Sequence, residues 1–178
     1  SLHATRLNIQ ALAQEGTPLI EITPLQDLAR LAEEAQQLAP DAAVSWQALA
    51  ELRPGSGAEP DVWLHLQAKT SVPLVCQRCM GVVATPLEVD QWYRFVATED
   101  IAMEQDDESE EDLLVMAPQF DLLAVLEDEL LMALPLVPMH DECPVAPLMQ
   151  AGEDELAESG DEKPNPFAAL AQLKKNKP

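Results

Sequence analysis

Two periods organise this chain. Between residues 43 and 52 apolar side chains recur at every second position, at Val44, Trp46, Ala48, Ala50 and Leu52, and the pattern returns at Val62, Leu64, Leu66 and Ala68. A period of two puts neighbouring side chains on opposite faces of a strand, so Trp63, His65, Gln67 and Lys69 point the other way. The intervening RPGSGAEPD, residues 53–61, is dense in Pro and Gly and reads as a turn. The pattern predicts a hairpin with one wet face. Thr85, Leu87, Val89, Gln91, Tyr93 and Phe95 share one side of a further strand, and PLIEIT (18–23) and LLVMA (113–117) also have strand character.

The helical period appears twice. Thr23 as N-cap, Pro24 at the first helical position and Gln26 at the third form a capping box. Leu28, Leu31, Ala35 and Leu38 follow at helical spacing until Pro40, predicting a helix over 24–39. In FDLLAVLEDELLMALP, Asp121 caps, Phe120 and Val125 can staple, and Leu122, Leu126 and Leu130 form a stripe that Leu123 and Ala133 widen before Pro135 stops the helix. The expectation is an α+β domain over residues 1–148, an antiparallel sheet packed by helices near 24–39 and 121–134. TEDIAMEQDDESEED, residues 98–112, holds nine acids and no base, and is expected as a disordered acidic loop. Residues 149–178 are expected as an acidic tail ending in a short lysine-bearing helix, capped by Asn165 and carrying Phe167, Leu170 and Leu173.

Composition narrows the class. Hydrophobic residues make up 47 % of the 178 but aromatics only 4 %, so the core is built of Leu, Val and Ala. No apolar run approaches the ~20 residues needed to cross a bilayer, and no signal-peptide pattern is present, so no membrane role is expected. Three cysteines do not make a disulfide framework, and the setting is read as reducing and cytoplasmic. Net charge is −22, and its placement matters more than its size. Residues 1–94 hold 11 acids and 6 bases, residues 95–162 hold 21 acids and no Lys or Arg, and residues 163–178 hold 4 lysines and no acid. The middle segment repels phosphates and attracts basic proteins, unless it is simply a solvated surface.

Candidate chemistry centres on VCQRCMG, residues 75–81. Cys76 and Cys79 have the spacing of half a zinc site, of a redox pair, or of a hairpin turn bearing two reduced thiols, and the last leads when the chain is taken alone. His140 and Cys143 in HDEC would complete a Cys3His set suited to zinc. A redox motif would sit at a strand-to-helix junction, whereas strands flank this pair. The chain has no G-x-S-x-G, P-loop or G-x-G-x-x-G, and with six glycines no phosphate cradle is credible, so neither an enzyme nor a small-molecule substrate is expected. Arg53, Arg78, Arg94 and Lys69, with Trp63, Trp92 and Tyr93, could make a small RNA-stacking patch on the exposed sheet. The plainer alternative is ordinary sheet surface. Phe167, Leu170 and Leu173 are candidate anchors for a partner, or for the chain's own domain.

LVCQRCMG, DLLAVLEDELLMALPLVPMHDECP and KPNPFAALAQLK together resemble the bacterial YceD family, the large ribosomal RNA subunit accumulation proteins. EDELLMALPLVPMH is the most specific of these stretches. The resemblance implies a cytoplasmic, non-enzymatic role in synthesis, processing or stability of large-subunit ribosomal RNA. It carries over Cys76 and Cys79, and more loosely His140 and Cys143; a second CxxC, seen in some relatives, is missing. An acidic protein in such a role points to an indirect effect on RNA. The partner expected is a basic large-subunit ribosomal protein or a pre-ribosomal particle, with direct RNA binding through the exposed sheet as the alternative.

Overall fold

The structure, a computed structural model, describes residues 4–55 and 57–144. Five strands lie side by side in chain order: β1 (Leu19–Pro24), β2 (Ala43–Arg53), β3 (Asp61–Val75), β4 (Val82–Val96) and β5 (Asp112–Val115). Four helices accompany them: α1 (Ile9–Glu15), α2 (Ala29–Glu34), α3 (Glu99–Asp106) and α4 (Leu122–Ala133). No helix among the described residues is long and apolar enough to cross a membrane.

The two-residue period decides the sheet. Trp46 lies opposite Ala68, Ala48 opposite Leu66 and Ala50 opposite Leu64, so every inward position meets another inward position. Those side chains are buried, as are Leu87, Tyr93 and Phe95 of β4. The stripe Leu122, Leu126 and Leu130 on α4, together with Ile9 on α1, is buried too and completes the core. Each such Leu or Ile is worth about 1.5–3 kcal/mol of apolar burial. The opposite face carries Ser45, Gln47, Trp63, His65, Lys69 and Asp90, half-buried or exposed, and ends at β1 with Ile20 and Ile22, both largely exposed.

The α+β expectation is met, and α4 starts where its cap placed it, with Asp121 accepting from Ala124 N–H at 2.9 Å. Four details differ. The helix expected over 24–39 is a single 3-10 turn, Leu25–Asp27, followed by the short α2. Thr23 and Pro24 belong to β1, and the Thr23 hydroxyl accepts from the buried Trp46 indole at 2.9 Å instead of capping a helix. The start of α2 is capped from another element: Glu127 of α4 accepts from Arg30 N–H at 3.0 Å and Leu31 N–H at 3.4 Å. The acidic stretch 98–112, expected as loop, contains α3, because Thr98 caps Ile101 N–H and Glu99 and Asp100 sit in the first turn, where the helix dipole favours acids. With α3 as crossover, β5 returns parallel to β4, so the sheet is mixed and not wholly antiparallel. Finally, α1 was not foreseen; Asn8 caps its start and Gly16, at φ +62°, ends it.

Candidate metal centre and the open sheet face

β3 and β4 meet at Val75 opposite Val82, and residues 76–81 close the turn between them. Cys76 N–H donates to Gly81 O and Met80 N–H to Cys76 O, both at 2.8 Å. Met80 stands at φ +62°, in the left-handed region, although it is not a glycine. The turn folds back so that its own backbone N–H groups, those of Arg78 and Cys79, point at the Cys76 sulfur. The chain after α4 reaches the same place. Gln77 N–H donates to Pro138 O at 2.8 Å, and His140 N–H donates to Cys76 Sγ at 3.4 Å.

This brings together residues about sixty positions apart in sequence. The ligand atoms of Cys76, Cys79, His140 and Cys143 all lie within 4.8 Å of one another, and the three cysteines carry thiols. Cys76 is fully buried and the other three are partly so. His140 Nδ1 is 3.4 Å from Cys79 Sγ, and Nε2 is 3.0 Å from the carbonyl of Val82. A carbonyl only accepts, so Nε2 holds the proton and donates, leaving the Nδ1 lone pair turned toward the thiols. Burial pushes the Cys76 thiol up, but hydrogen bonds to its sulfur from the backbone N–H groups of Cys79, His140 and Arg78 outweigh it and bring it down from 9.0 to about 5. Thiolate, the metal-binding form, therefore predominates at neutral pH. The cluster can hold a metal ion.

The open sheet face holds the second group. His65 lies flat against Trp92, centroids 4.2 Å apart and planes 4° from parallel, and Trp63 meets Trp92 edge-on at 6.4 Å. The guanidinium of Arg53 sits 4.6 Å from the Trp63 ring and 4.4 Å from the Trp92 ring. Each base here is engaged by an acid: Arg53 by Glu51, Lys69 by Glu88 at 3.1 Å, Arg94 by Glu111 at 2.8 Å and His65 by Asp90 at 2.6 Å. Arg94 also donates to Gln105 and Ser109. His65, then Gln67, holds the Asp90 carboxyl below its usual range, and Arg94 does the same for Glu111.

The residues named from sequence therefore fall into separate places. Trp63, Trp92, Arg53 and Arg94 share one end of the sheet face. Tyr93 is buried on the other face at 2 % exposure. Arg78 stands exposed in the thiol turn beyond the far end of β3, roughly 35–40 Å along the strand from Trp63 at about 3.3 Å per residue. Phe167, Leu170 and Leu173 lie outside the described residues. Sequence reasoning did not find the Val82 carbonyl that orients His140, because a backbone acceptor leaves no trace in residue type. It also missed the left-handed Met80, where the usual signal, a glycine, falls one residue later.

Comparisons with known proteins agree with one another. The family model for "Large ribosomal RNA subunit accumulation protein YceD" matches residues 64–174. A curated protein of that name from Haemophilus influenzae is 35 % identical over 169 residues, covering 91 % of this chain and 90 % of its own length. No solved structure matches.

Proposed function

We propose, from the premise that this chain belongs to the YceD family, that it is a non-enzymatic, cytoplasmic factor of ribosome biogenesis. It supports the accumulation of large-subunit ribosomal RNA by holding a basic ribosomal protein or an assembly intermediate. The observation that carries this reading is the placement of charge. Residues 95–162 bear 21 acids and no Lys or Arg, and the bases on the open sheet face are each paired with an acid. RNA affinity grows by roughly one unit of salt slope for each phosphate neutralised, and a paired cation has little to offer a phosphate. A basic protein, by contrast, meets a favourable field at long range.

Direct RNA binding by Trp63, Lys69, Arg78 and Arg94 is the rival reading, supported by the half-buried indoles of Trp63 and Trp92. It predicts binding that collapses between low and moderate salt.

Within the same proposal, Cys76, Cys79, His140 and Cys143 hold zinc. A tetrahedral ion at about 2.3 Å from sulfur and 2.0–2.1 Å from nitrogen sets the ligands some 3.6 Å apart, and Cys79 Sγ and His140 Nδ1 are 3.4 Å apart. Four protein ligands would leave no open position, so a bound ion would be structural and would clamp the segment after α4 to the β3–β4 turn.

The test of the role is a pull-down from cell lysate with and without ribonuclease, scored for ribosomal proteins and ribosomal RNA. Basic large-subunit proteins that persist after ribonuclease support the reading. Loss of everything on ribonuclease treatment transfers the function to RNA contact.

A further inference from the structure

The open sheet face has a recess that the role above does not specify. Arg53, Trp63, Asp90, Trp92, Glu110 and Glu111 line a cavity of about 520 Å³ at one end of the face, within the size range of ligand sites. Two indoles set at 69° to each other form two of its walls. Carboxylates form its rim. The indoles already receive a guanidinium from the protein itself, with Arg53 within 4.6 Å of both ring centres and its charge met by Glu51. This pairing of flat aromatic surface and carboxylate is the chemistry that selects guanidinium over ammonium, because the planar fork stacks and bonds in two directions at once.

The geometry points to one kind of partner. We propose that the Trp63–Trp92 recess receives an arginine side chain of a basic protein, which takes the position Arg53 holds in the unbound chain. The proposal rests on the reading that this protein holds basic partners, and names where one side chain of such a partner docks. Three observations favour it over a metal ion or a nucleic acid. Among the described residues the thiol–imidazole cluster is the one group of three or more potential ligands gathered closely enough to hold a metal ion, and the recess carboxylates form no such group. Asp90 and Gln91 also line the neighbouring cavity, where Glu88, Asp112 and Glu129 join them, so negative charge continues beyond the recess, as an extended polycation requires. The nearby Arg94 is fastened to Glu111, Gln105 and Ser109, and Arg53 within the recess is met by Glu51, so both guanidinium charges are already engaged by acids and offer little to a phosphate.

The experiment uses the full chain at 150 mM salt with three probes: nona-arginine, nona-lysine and a nine-nucleotide oligouridylate. Affinity is read by calorimetry, and the site by the indole N–H signals of Trp63 and Trp92. Nona-arginine is expected to bind at least tenfold more tightly than nona-lysine and to shift both indole signals. Trp92→Ala should lose at least tenfold of the nona-arginine affinity, with Trp92→Phe intermediate. Arg53→Ala, which empties the recess, should raise nona-arginine affinity several-fold, a gain that misfolding cannot mimic. Equal binding of the two peptides, an unchanged or weakened Arg53→Ala variant, or tighter binding of the oligouridylate at the same indoles each overturns the proposal. Wild type and Trp92→Ala retaining the same basic ribosomal proteins after ribonuclease overturns the site and leaves the broader role standing. Nona-arginine seated at the indoles while wild type retains no ribosomal protein overturns the role and leaves the site.

Discussion

Removing the Glu127 carboxylate should detach α2 from α4. This side chain is only 10 % exposed, yet it meets two backbone donors and one guanidinium. The Arg30 and Leu31 N–H groups open α2 and have no intrahelical acceptor. Leu31 is fully buried, so water reaches its N–H poorly once the carboxylate is gone. Losing a capping acceptor costs about 0.5–2 kcal/mol, and stranding a buried donor adds about 1–3 kcal/mol. The Arg30 Nε contact at 2.7 Å contributes less, because Arg30 is 52 % exposed and solvent screens the pair. Glu127→Ala should therefore lower stability by about 2–4 kcal/mol. Glu127→Gln keeps an acceptor of the same shape and should lose about 1 kcal/mol. Asp128→Ala, which cuts the exposed half of the Arg30 pairing, should lose at most about 0.5 kcal/mol. Urea unfolding followed by the fluorescence of buried Trp46, with unchanged m-values, reads all three. If Glu127→Ala behaves like Asp128→Ala, the inter-element cap does not stabilise α2 and the reasoning is wrong.

Protein purified without chelator should contain one zinc per chain by atomic absorption, and His140→Ala or Cys79→Ser should lose it together with several degrees of melting temperature; full-strength zinc in His140→Ala would remove that residue from the ligand set. Met80→Gly relieves the left-handed backbone at little packing cost, since Met80 is 69 % exposed, and should change stability by between zero and a gain of about 1 kcal/mol; a loss beyond that in urea unfolding would mean the side chain is needed. Arg94 holds the Glu111 carboxyl below its usual range, so this pair stabilises fully above the unfolded value of about 4.3 and is lost as pH falls through the lower folded one. Glu111→Gln should accordingly flatten the fall of melting temperature below about pH 4.5, and an acid limb of wild-type steepness would contradict the pairing.

Much of the architecture is legible in residue order because it depends on local periodicity. Val44 to Leu52 and Val62 to Ala68 mark their buried face by alternation alone, and α4 announces itself through Asp121 and the stripe of Leu122, Leu126 and Leu130. A one-residue error in register would expose the whole apolar set, so those patterns admit one solution. The helix over 24–39 shows the limit: its capping box is sound locally, but Trp46 captures the Thr23 hydroxyl and Glu127 supplies the cap from 97 residues away. Residues 98–112 show the reverse, since acid-rich composition hides a good N-cap at Thr98.

Residue types alone identified the four ligand candidates and the acidic imbalance that points toward basic partners. Tertiary structure decided which of these meet. Only folding carries His140 back to the Cys76 turn, through Pro138 O and the Val82 carbonyl, and only pairing of β3 with β4 sets His65 against Trp92 and brings Trp63 and Trp92 together under the guanidinium of Arg53. Local propensity is written in a few neighbouring residues; the meeting of distant ones depends on the packing of the whole sheet, which no short stretch contains.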